Sequence, residues 1–299
     1  MQKRYFDLHT DTASVMFDRK CSFAENDLHV DLKRMEGDFE YVQFMTLFSD
    51  CSHTDMTGRY ETLLANRDRE TAGKCAVVAT RAEYEAAKKA GLHPILHAIE
   101  GGEMLFCSPD RIVKAAREDK LLMAGVAWNN PNTLYTRDGL TAEGCAYVAA
   151  CNQEGVVLDI SHLNDVCAAE VLSRGDRVIA SHSNARTLCD VPRDLPDELI
   201  RAIGRKKGLI GLNFYTEFIS KEPSQQTFLS LARHAAYIAD MVGVSVVALG
   251  SDLDGCILPP GATGMENLPD MASALSEVGF SAAEIDDICF ANAFNYFLK

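Results

Sequence analysis

Histidine and carboxylate side chains stand at the ends of several apolar runs in this chain. The first run ends in Asp7-Leu8-His9-Thr10-Asp11, where one residue separates His9 from Asp11. Because strand side chains alternate between two faces, His9 and Asp11 should point the same way and can bind one metal ion together. Four later apolar runs also end at such residues, namely Glu100, His162, His182 and Asp252. This recurrence predicts one metal-dependent site.

A hydrolytic centre with two divalent ions needs imidazoles and carboxylates around each ion, a bridging ligand and a base near the bridging water. His9 and Asp11 can supply ligands to one ion, and His162 and His182 to the other. Glu100 is the natural bridge, since a carboxylate has two oxygens to share. The sequence therefore contains a complete ligand set for a pair of ions.

A candidate base follows the last apolar run, where Asp252 and Asp254 flank Leu253. One of these carboxylates would be the base and the other structural, and we assign Asp252 as the proton shuttle. It would accept a proton from the metal-bridging water and pass it to the leaving nitrogen. Two divalent ions lower the pKa of bound water from about 15.7 toward roughly 7, so hydroxide would be available at neutral pH.

Each ligand also has a structural alternative. Glu100 could cap the turn after it, His162 could open a helix while hydrogen-bonded to Asp159, and His182 could lie in a loop between capping serines. The pair Gly101-Gly102 is expected to keep the loop behind Glu100 clear for metal or substrate. The remaining histidines are weaker candidates because of strand parity or position: His29, His53, His93, His97 and His234.

The elements that must position these residues alternate between strands and helices, which indicates a parallel sheet. Helices are predicted over 81–90, 111–120 and 224–242, with another opening at Pro196, and residues 75–80 could form a ninth strand outside the main sheet. The eight predicted strands are 5–11, 40–48, 93–100, 121–128, 155–161, 177–182, 208–214 and 246–252.

Eight strand–helix units fit either a closed barrel or an open doubly wound sheet. An open nucleotide-binding sheet would carry a glycine-rich loop after its first strand, whereas the first turn here contains no glycine. In a barrel, the C-terminal ends of separate strands surround one mouth, where distant residues can meet. The sequence predicts an α/β fold, a (β/α)8 TIM barrel of the metal-dependent hydrolase type, with residues 1–299 as one catalytic domain.

Composition narrows the range of partners. The chain has 299 residues, and its 43 acidic against 29 basic side chains give a formal charge of −14, which argues against nucleic-acid or anionic-membrane binding. No apolar run approaches the roughly 18 residues of a membrane span, and a candidate ligand at residue 9 leaves no room for a signal peptide. Ten cysteines without a Cys-x-x-Cys motif are expected to be reduced, in a cytoplasmic protein.

The blocks around these residues resemble the renal (membrane) dipeptidase family, the M19 metallopeptidases of the amidohydrolase-like barrels. Their order and spacing agree over nearly the whole chain. The five blocks are Asp7-Leu8-His9-Thr10-Asp11, Glu100-Gly101-Gly102, Asp159-Ile160-Ser161-His162, Ser181-His182-Ser183-Asn184-Ala185 and Gly250-Ser251-Asp252-Leu253-Asp254-Gly255.

The resemblance implies a (β/α)8 barrel with two zinc ions that hydrolyses dipeptides, often those with a D-residue at the C-terminal position. It implies Asp252 as the acid/base and, as metal ligands, the five residues His9, Asp11, Glu100, His162 and His182. It adds Arg193 as the clamp for the free carboxylate of the substrate, a role that suits a guanidinium because it can hold a carboxylate through two parallel hydrogen bonds. It also implies Tyr215 as a substrate-pocket residue, with core packing as the alternative. A family-typical homodimer is a further expectation.

One position departs from the family pattern. Better-known members carry a histidine near the scissile carbonyl after the fourth strand, where this chain has Trp128. Indole donates one hydrogen bond but cannot bind metal or become cationic. Oxyanion stabilisation would then fall to a zinc ion, to Trp128 or to Asn129, and the preferred substrate could differ.

Two alternatives to a dipeptidase stay open. The same metal barrel could act on another amide, a lactone or an ester, which Arg193→Ala would discriminate by its effect on KM. A non-catalytic metal-binding barrel is the other alternative. Imidazole and carboxylate ligands also accept manganese, cobalt or iron in place of zinc.

Overall fold

A closed ring of parallel strands forms the centre of the fold. The computed structural model describes residues 3–51 and 55–299. Neighbouring strands in the ring follow the order β10-β11-β1-β2-β4-β5-β8-β9. The strands are β1 Arg4–Thr10, β2 Glu40–Leu47, β3 Cys75–Val77, β4 His93–Ile99, β5 Leu121–Gly125, β6 Tyr135–Thr136, β7 Gly139–Leu140, β8 Val157–Asp159, β9 Val178–Ile179, β10 Ile210–Leu212 and β11 Val247–Leu249.

The ring closes between β9 and β10. Ala180, just beyond β9, forms a parallel bridge with Ile210. Its amide donates to Leu209 O at 2.9 Å, and its carbonyl accepts from Gly211 N at 2.8 Å. The expectation of a (β/α)8 barrel is therefore confirmed, with all eight predicted strands in place.

Helices alternate with the barrel strands and cover their outer surface. A π-helical turn over Asp287–Ala291 joins the last two helices. The helices are α1 Thr12–Arg19, α2 Leu32–Met35, α3 Arg59–Thr71, α4 Arg81–Lys89, α5 Pro109–Glu118, α6 Ala142–Glu154, α7 Asp165–Arg174, α8 Asp197–Arg205, α9 Thr216–Ile219, α10 Phe228–Val242, α11 Leu268–Glu277, α12 Ala282–Asp286 and α13 Asn292–Phe297.

Two sequence expectations differ from the structure. The extra strand β3 is not outside the main sheet, because it pairs in parallel with β4 at Cys75 and His93. The long helix α10 begins at Phe228 rather than at residue 224, because Thr227 caps it by accepting a hydrogen bond from Ser230 N at 3.2 Å. A local cap, not the apolar periodicity, fixes where this helix starts.

The C-terminal segment packs against the apolar cluster to which the barrel strands contribute. Phe290 lies 6.0 Å from Phe6, and Phe297 lies 4.7 Å from Phe44, measured between ring centroids. Arg81, at the start of α4, donates to Leu298 O at 3.2 Å. The barrel interior is thus a packed core, and polar side chains gather at the C-terminal ends of its strands.

Candidate metal centre

The predicted ligands converge at the C-terminal ends of the barrel strands. Glu100 Oε1 lies 2.7 Å from His162 Nε2, 3.3 Å from His182 Nε2 and 3.6 Å from His9 Nε2. His162 Nε2 and His182 Nε2 are 3.0 Å apart. Three imidazoles from β1, β8 and β9 therefore surround one carboxylate that follows β4.

An irregularity in the pairing of β1 coincides with the position of His9. The pairing of β1 with β2 shifts between Asp7 and Thr10. Leu8 packs with the inner apolar cluster, while Thr10 Oγ1 donates to Phe44 O at 2.9 Å. The side chains of this segment therefore do not follow the regular alternation between the two faces of a strand. His9 Nε2 and Asp11 Oδ1 nevertheless face each other, 3.5 Å apart.

Several buried polar atoms at the centre lack a protein partner. Among the described residues, His9 Nε2, Asp11 Oδ1 and Glu100 Oε2 have no hydrogen-bond partner. Leaving buried polar atoms unpaired is costly, and a divalent cation accepts this mixture of nitrogen and oxygen donors. Two donor groups that could each hold a metal ion share Glu100: one adds His9 and Asp11, the other His162 and His182. The residues present fit a metal cofactor.

The electrostatics of the cluster favour positive charge. Burial alone lowers the pKa of His9, but the carboxylates of Glu100 and Asp11 outweigh burial and raise that pKa to about 10. Burial and the Glu100 carboxylate raise the pKa of Asp11 to about 6. Both pKa values are raised because several carboxylates lie close together in a buried space. A bound cation would offset their negative charge.

Asp252 and Asp254 have different surroundings, which separates their roles. Asp252 has a left-handed backbone, with φ of 62°, and its Oδ2 accepts a hydrogen bond from Asn213 Nδ2 at 3.1 Å. Asp254 instead turns away and accepts hydrogen bonds from Thr12 Oγ1 and from His29 N, both at 2.5 Å. Asp252 is therefore the carboxylate that faces the metal centre.

Burial and the nearby carboxylate of Asp11 raise the pKa of Asp252 to about 7. A group that titrates near neutral pH can both accept and donate a proton there. Gly255 makes this arrangement possible, because a Cβ at that position would lie 2.0 Å from Asp11 Oδ2 and 2.6 Å from Asp252 Oδ1. At Gly255, the loop after β11 passes so close to both carboxylates that no side chain fits there.

The structure places Trp128 and Asn129 beside His162. Asn129 Oδ1 lies 2.9 Å from His162 Nδ1, so Asn129 orients the imidazole from its far side. The half-buried indole of Trp128 lies 6.5 Å from the His162 ring and 5.4 Å from the Phe48 ring, between centroids. Trp128 and Phe48 therefore form an aromatic wall next to this ligand. The alternative interpretation required a hydrogen bond between His162 and Asp159, and these two residues do not form one.

Arg193 and Tyr215 lie on another side of the mouth. Arg193 Nη1 donates to Ser183 Oγ at 3.1 Å, and its guanidinium lies 5.6 Å from the Phe218 ring centre. Tyr215 packs edge-on against Phe218 at 4.7 Å. Within residues 3–51 and 55–299, no carboxylate lies within ion-pair distance of Arg193. A half-buried guanidinium without an ionic partner is suited to an anionic ligand.

The glycines after Glu100 lie close to side chains of the protein itself. Gly101, with φ of 86°, lies against the carboxylate of Glu103, and a Cβ at Gly102 would meet Leu134 at 2.4 Å. A side chain at either position would therefore clash with Glu103 or Leu134, and clearance for metal or substrate stays a prediction.

Residues that sequence reasoning did not assign support the ligands from behind. Asp159 and Ser181 form a buried network next to two of the imidazoles, and Asn213 holds Asp252. Asp159 and Ser181 belong to blocks already noted in the sequence, and their position at strand ends was the available signal. Their hydrogen bonds depend on the neighbouring strand, which the sequence does not reveal.

The histidines judged weaker lie elsewhere. His97 is buried beside Tyr60, whose hydroxyl is 3.0 Å from His97 Nε2. His234 accepts from Ala185 N at 3.1 Å, and Asp254 N donates to His29 Nδ1 at 2.9 Å. His93 opens β4 at its N-terminal end, away from the mouth. His53 lies outside the described residues.

The fold and the site define a class of protein, the (β/α)8 barrels with a cluster of possible metal ligands at the C-terminal strand ends. The chain belongs to the membrane dipeptidase family (peptidase family M19), whose family model matches residues 1–297. The sequence-based assignment to this family is thus confirmed. Among the residues that the structure describes, no helix combines the length and apolarity needed to cross a membrane.

Relatives and solved structures agree with this assignment. An uncharacterized dipeptidase of Schizosaccharomyces pombe is 32% identical over 163 residues, which cover 52% of this chain and 39% of that protein. A dipeptidase of Aspergillus oryzae is 31% identical over 155 residues, covering 50% of this chain and 36% of that protein. The matches thus span well under half the length of these two relatives.

Two solved structures resemble almost the entire chain. The dipeptidase AC, a metallopeptidase of family M19, has a TM-score of 0.87 at 24% identity and covers 99% of this chain and 98% of its own. A metallopeptidase from Rhodobacter sphaeroides, bound to a phosphinate mimic of the dipeptide L-Ala-D-Ala, has a TM-score of 0.85 at 24% identity and covers 99% of both chains. These likenesses establish the fold.

Proposed function

We propose that this protein is a metallo-dipeptidase in which two divalent ions, most readily zinc, act on the peptide bond of a dipeptide. The observation that carries the proposal is that two possible donor groups share the single carboxylate of Glu100. Each group combines imidazole nitrogens with carboxylate oxygens, as zinc prefers. The proposed ligands are His9, Asp11, Glu100, His162 and His182.

Divalent cations, when bound at this centre, supply Lewis acidity toward the scissile carbonyl and lower the pKa of water. The Asp252 carboxylate, held at Oδ2 by Asn213, accepts the proton of the attacking water at Oδ1. It then donates that proton to the amide nitrogen as the C–N bond breaks. A pKa near 7 suits both halves of this transfer.

Arg193 provides the proposed recognition of a free carboxylate. Its guanidinium has no ionic partner among the described residues and is braced by Ser183 and the Phe218 ring. A dipeptide has its C-terminal carboxylate only a few bonds from the scissile carbonyl, so one positive group near the metal ligands selects dipeptides over longer peptides. We propose that Tyr215 contributes to the same side of the pocket.

The part of the pocket beside His162 is expected to be apolar. Trp128 and Phe48 form its wall next to His162, and Asn129 is engaged with that histidine. We include L,D-dipeptides in the proposed substrate class because the Rhodobacter structure binds a mimic of L-Ala-D-Ala. We also propose that residues 1–299 form one catalytic domain.

The test is a panel of L,L- and L,D-dipeptides, assayed with metal-replete protein by chromatography of the released amino acids. Asp252→Asn should abolish turnover while bound metal, measured on the same sample, stays at the wild-type level. Failure of the wild-type protein to hydrolyse any dipeptide while two ions are bound would refute the proposal and favour a non-catalytic metal-binding barrel.

Arg193 variants test substrate class. Arg193→Ala should raise KM for dipeptides by about 100-fold, equivalent to about 2.7 kcal/mol, and leave the corresponding dipeptide amides almost unchanged. Arg193→Lys should give an intermediate KM, because lysine keeps the charge but loses the two-pronged geometry. Equal effects on charged and neutral substrates would instead favour an amidase, lactonase or esterase.

The oligomeric state and the cellular compartment of the protein stay predictions. A homodimer would be detected by light scattering of the purified protein. All ten cysteines are free in the structure, and localisation of the tagged protein tests the predicted cytoplasmic location.

A further inference from the structure

Two pairs of neighbouring strands are joined by the same aspartate–serine arrangement. Asp159, at the end of β8, accepts from Ser181 N at 2.9 Å and from Ser181 Oγ at 2.5 Å. Asp7, in β1, accepts from Ser251 N at 2.8 Å and also from Ser251 Oγ. In each case the aspartate binds both the backbone and the hydroxyl of a serine that directly precedes a residue of the proposed centre.

The two serines differ in what else their hydroxyls contact. Ser181 Oγ lies 2.7 Å from His182 Nδ1 and 3.4 Å from His9 Nδ1. Ser251 Oγ contacts no imidazole within the described residues, and its further bond is from Leu253 N at 3.2 Å. Asp7 accepts from the His9 backbone N at 3.3 Å, but of the two serine hydroxyls only that of Ser181 contacts the imidazoles of proposed metal ligands within the described residues.

The donors and acceptors around Ser181 fix the positions of the protons. A serine hydroxyl has one proton and two acceptor sites. Asp159 Oδ1 already accepts from Ser161 Oγ at 2.7 Å and from Ser181 N, which orients this carboxylate as an acceptor. Ser161 Oγ also lies 3.3 Å from Ser181 Oγ, but its proton is already donated to Asp159 Oδ1. The assignment that satisfies these contacts has Ser181 donating its proton to Asp159 Oδ2 and accepting from the neighbouring imidazoles. Both imidazoles consequently carry their proton on Nδ1.

A neutral histidine protonated at Nδ1 has its free lone pair on Nε2. His182 Nε2 faces Glu100 Oε1 at 3.3 Å, and His9 Nε2 faces it at 3.6 Å, which is where the proposed ions would bind. The opposite tautomer would place a hydrogen on the nitrogen that must bind metal. Partners behind ligating histidines commonly set the tautomer in this way.

We propose that Ser181, backed by Asp159, is a positioning residue that holds His182 and His9 as their Nδ1–H tautomers and so presents both Nε2 atoms to the metal ions. The inference rests on the proposed metal site but not on the identity of the substrate. Ser181 touches neither substrate nor metal and acts only through the two imidazoles.

The test compares Ser181→Ala with Ser251→Ala. Each variant removes one serine hydroxyl that is bonded to a buried aspartate, but only Ser181→Ala removes a contact with imidazoles. Zinc affinity is measured by competition with a chromophoric chelator, after metal has been removed from the full-length protein and folding checked by circular dichroism. Ser181→Ala should bind zinc about 10- to 100-fold more weakly, and Ser251→Ala should stay within about threefold of wild type.

Two further measurements keep the proposal refutable if Ser181→Ala does not fold. Ser181→Thr retains the hydroxyl and should recover most of the zinc affinity. In the wild-type protein, nitrogen-15 NMR should show His182 protonated at Nδ1, and a proton on Nε2 would overturn the proposal.

The outcomes separate this proposal from the proposed function. Equal zinc affinities for Ser181→Ala and Ser251→Ala would refute the role of Ser181 and leave the dipeptidase proposal intact. A wild-type protein that binds zinc through Ser181-supported histidines but hydrolyses no dipeptide would refute the function alone.

Discussion

Replacing Gly255 with alanine should damage the proposed centre through a single methyl group. The new Cβ would lie 2.0 Å from Asp11 Oδ2, whereas ordinary contact begins at 3.4 Å, so the atoms must separate by about 1.4 Å. The same methyl group would lie 2.6 Å from Asp252 Oδ1. Neither carboxylate can retreat freely, because Asp11 is buried after β1 and Asp252 is held at Oδ2 by Asn213.

A misplacement of roughly 1 Å commonly costs about 100-fold in rate. We therefore expect Gly255→Ala to lower kcat/KM for a good dipeptide substrate by about 100-fold, or about 2.7 kcal/mol, and to weaken metal binding. Steady-state kinetics and zinc titration on the same sample measure both effects. The expected cause is displacement of Asp11 and Asp252, not a change in backbone strain.

Gly261→Ala is the matched control. Gly261 lies in the same segment after β11 and has φ of 90°, but a Cβ there meets nothing within 4 Å. The control should lose about 1 kcal/mol of unfolding free energy from backbone strain and keep its kinetics. Wild-type kcat/KM and zinc affinity in Gly255→Ala would show that the two carboxylates are not confined as the structure indicates.

Three further predictions concern other residues. Burial raises the pKa of Asp194 to about 8, so the folded state favours the protonated carboxyl. The stability that this protonated group contributes is therefore present below about pH 4 and is lost as the pH rises to 8. In urea unfolding, Asp194→Asn should have a free energy of unfolding about 1–3 kcal/mol above that of wild type at pH 8 and equal to it at pH 4. A difference that does not change with pH would show that the raised pKa of Asp194 is not its cause. Asn213→Ala should lower kcat about tenfold with bound zinc unchanged, because Asp252 loses the donor at Oδ2, and loss of zinc instead would assign Asn213 a different role. Thr227→Ala should cost about 1 kcal/mol of unfolding free energy, with unchanged kinetics, through loss of the α10 cap.

The sequence was most informative where one pattern repeated. Each barrel strand is a short apolar run followed by polar residues, so the positions of the strands and the residues at their ends could be predicted together. Parallel strands in a barrel share one mouth, which is why His9, Glu100 and His182 could be placed together without coordinates. Helix starts were less certain, as α10 shows, because a single hydrogen bond donated by Ser230 N to the Thr227 cap moves the boundary.

Side-chain partners could not be predicted in the same way. Sequence reasoning assigned Asp252 as the base and Asp254 as structural, but it could not show their partners, which the turn after β11 decides by directing Asp252 to Asn213 and Asp254 to Thr12. Asn129 was expected at the substrate, which stays a prediction, and its contact with His162 could not be foreseen from the sequence. Each outcome depends on a neighbouring element that is distant along the chain.

The amino-acid sequence by itself determined the barrel, the family and which residue types stand at the strand ends, because hydrophobic periodicity and motif order are local properties. Only the tertiary structure decided that Ser181 lies behind two imidazoles, that Gly255 passes against two carboxylates and that Arg193 has no ionic partner in the part of the chain that the structure describes. Those relations depend on distances of a few ångströms between strands that are far apart in sequence, and packing, not local pattern, sets such distances.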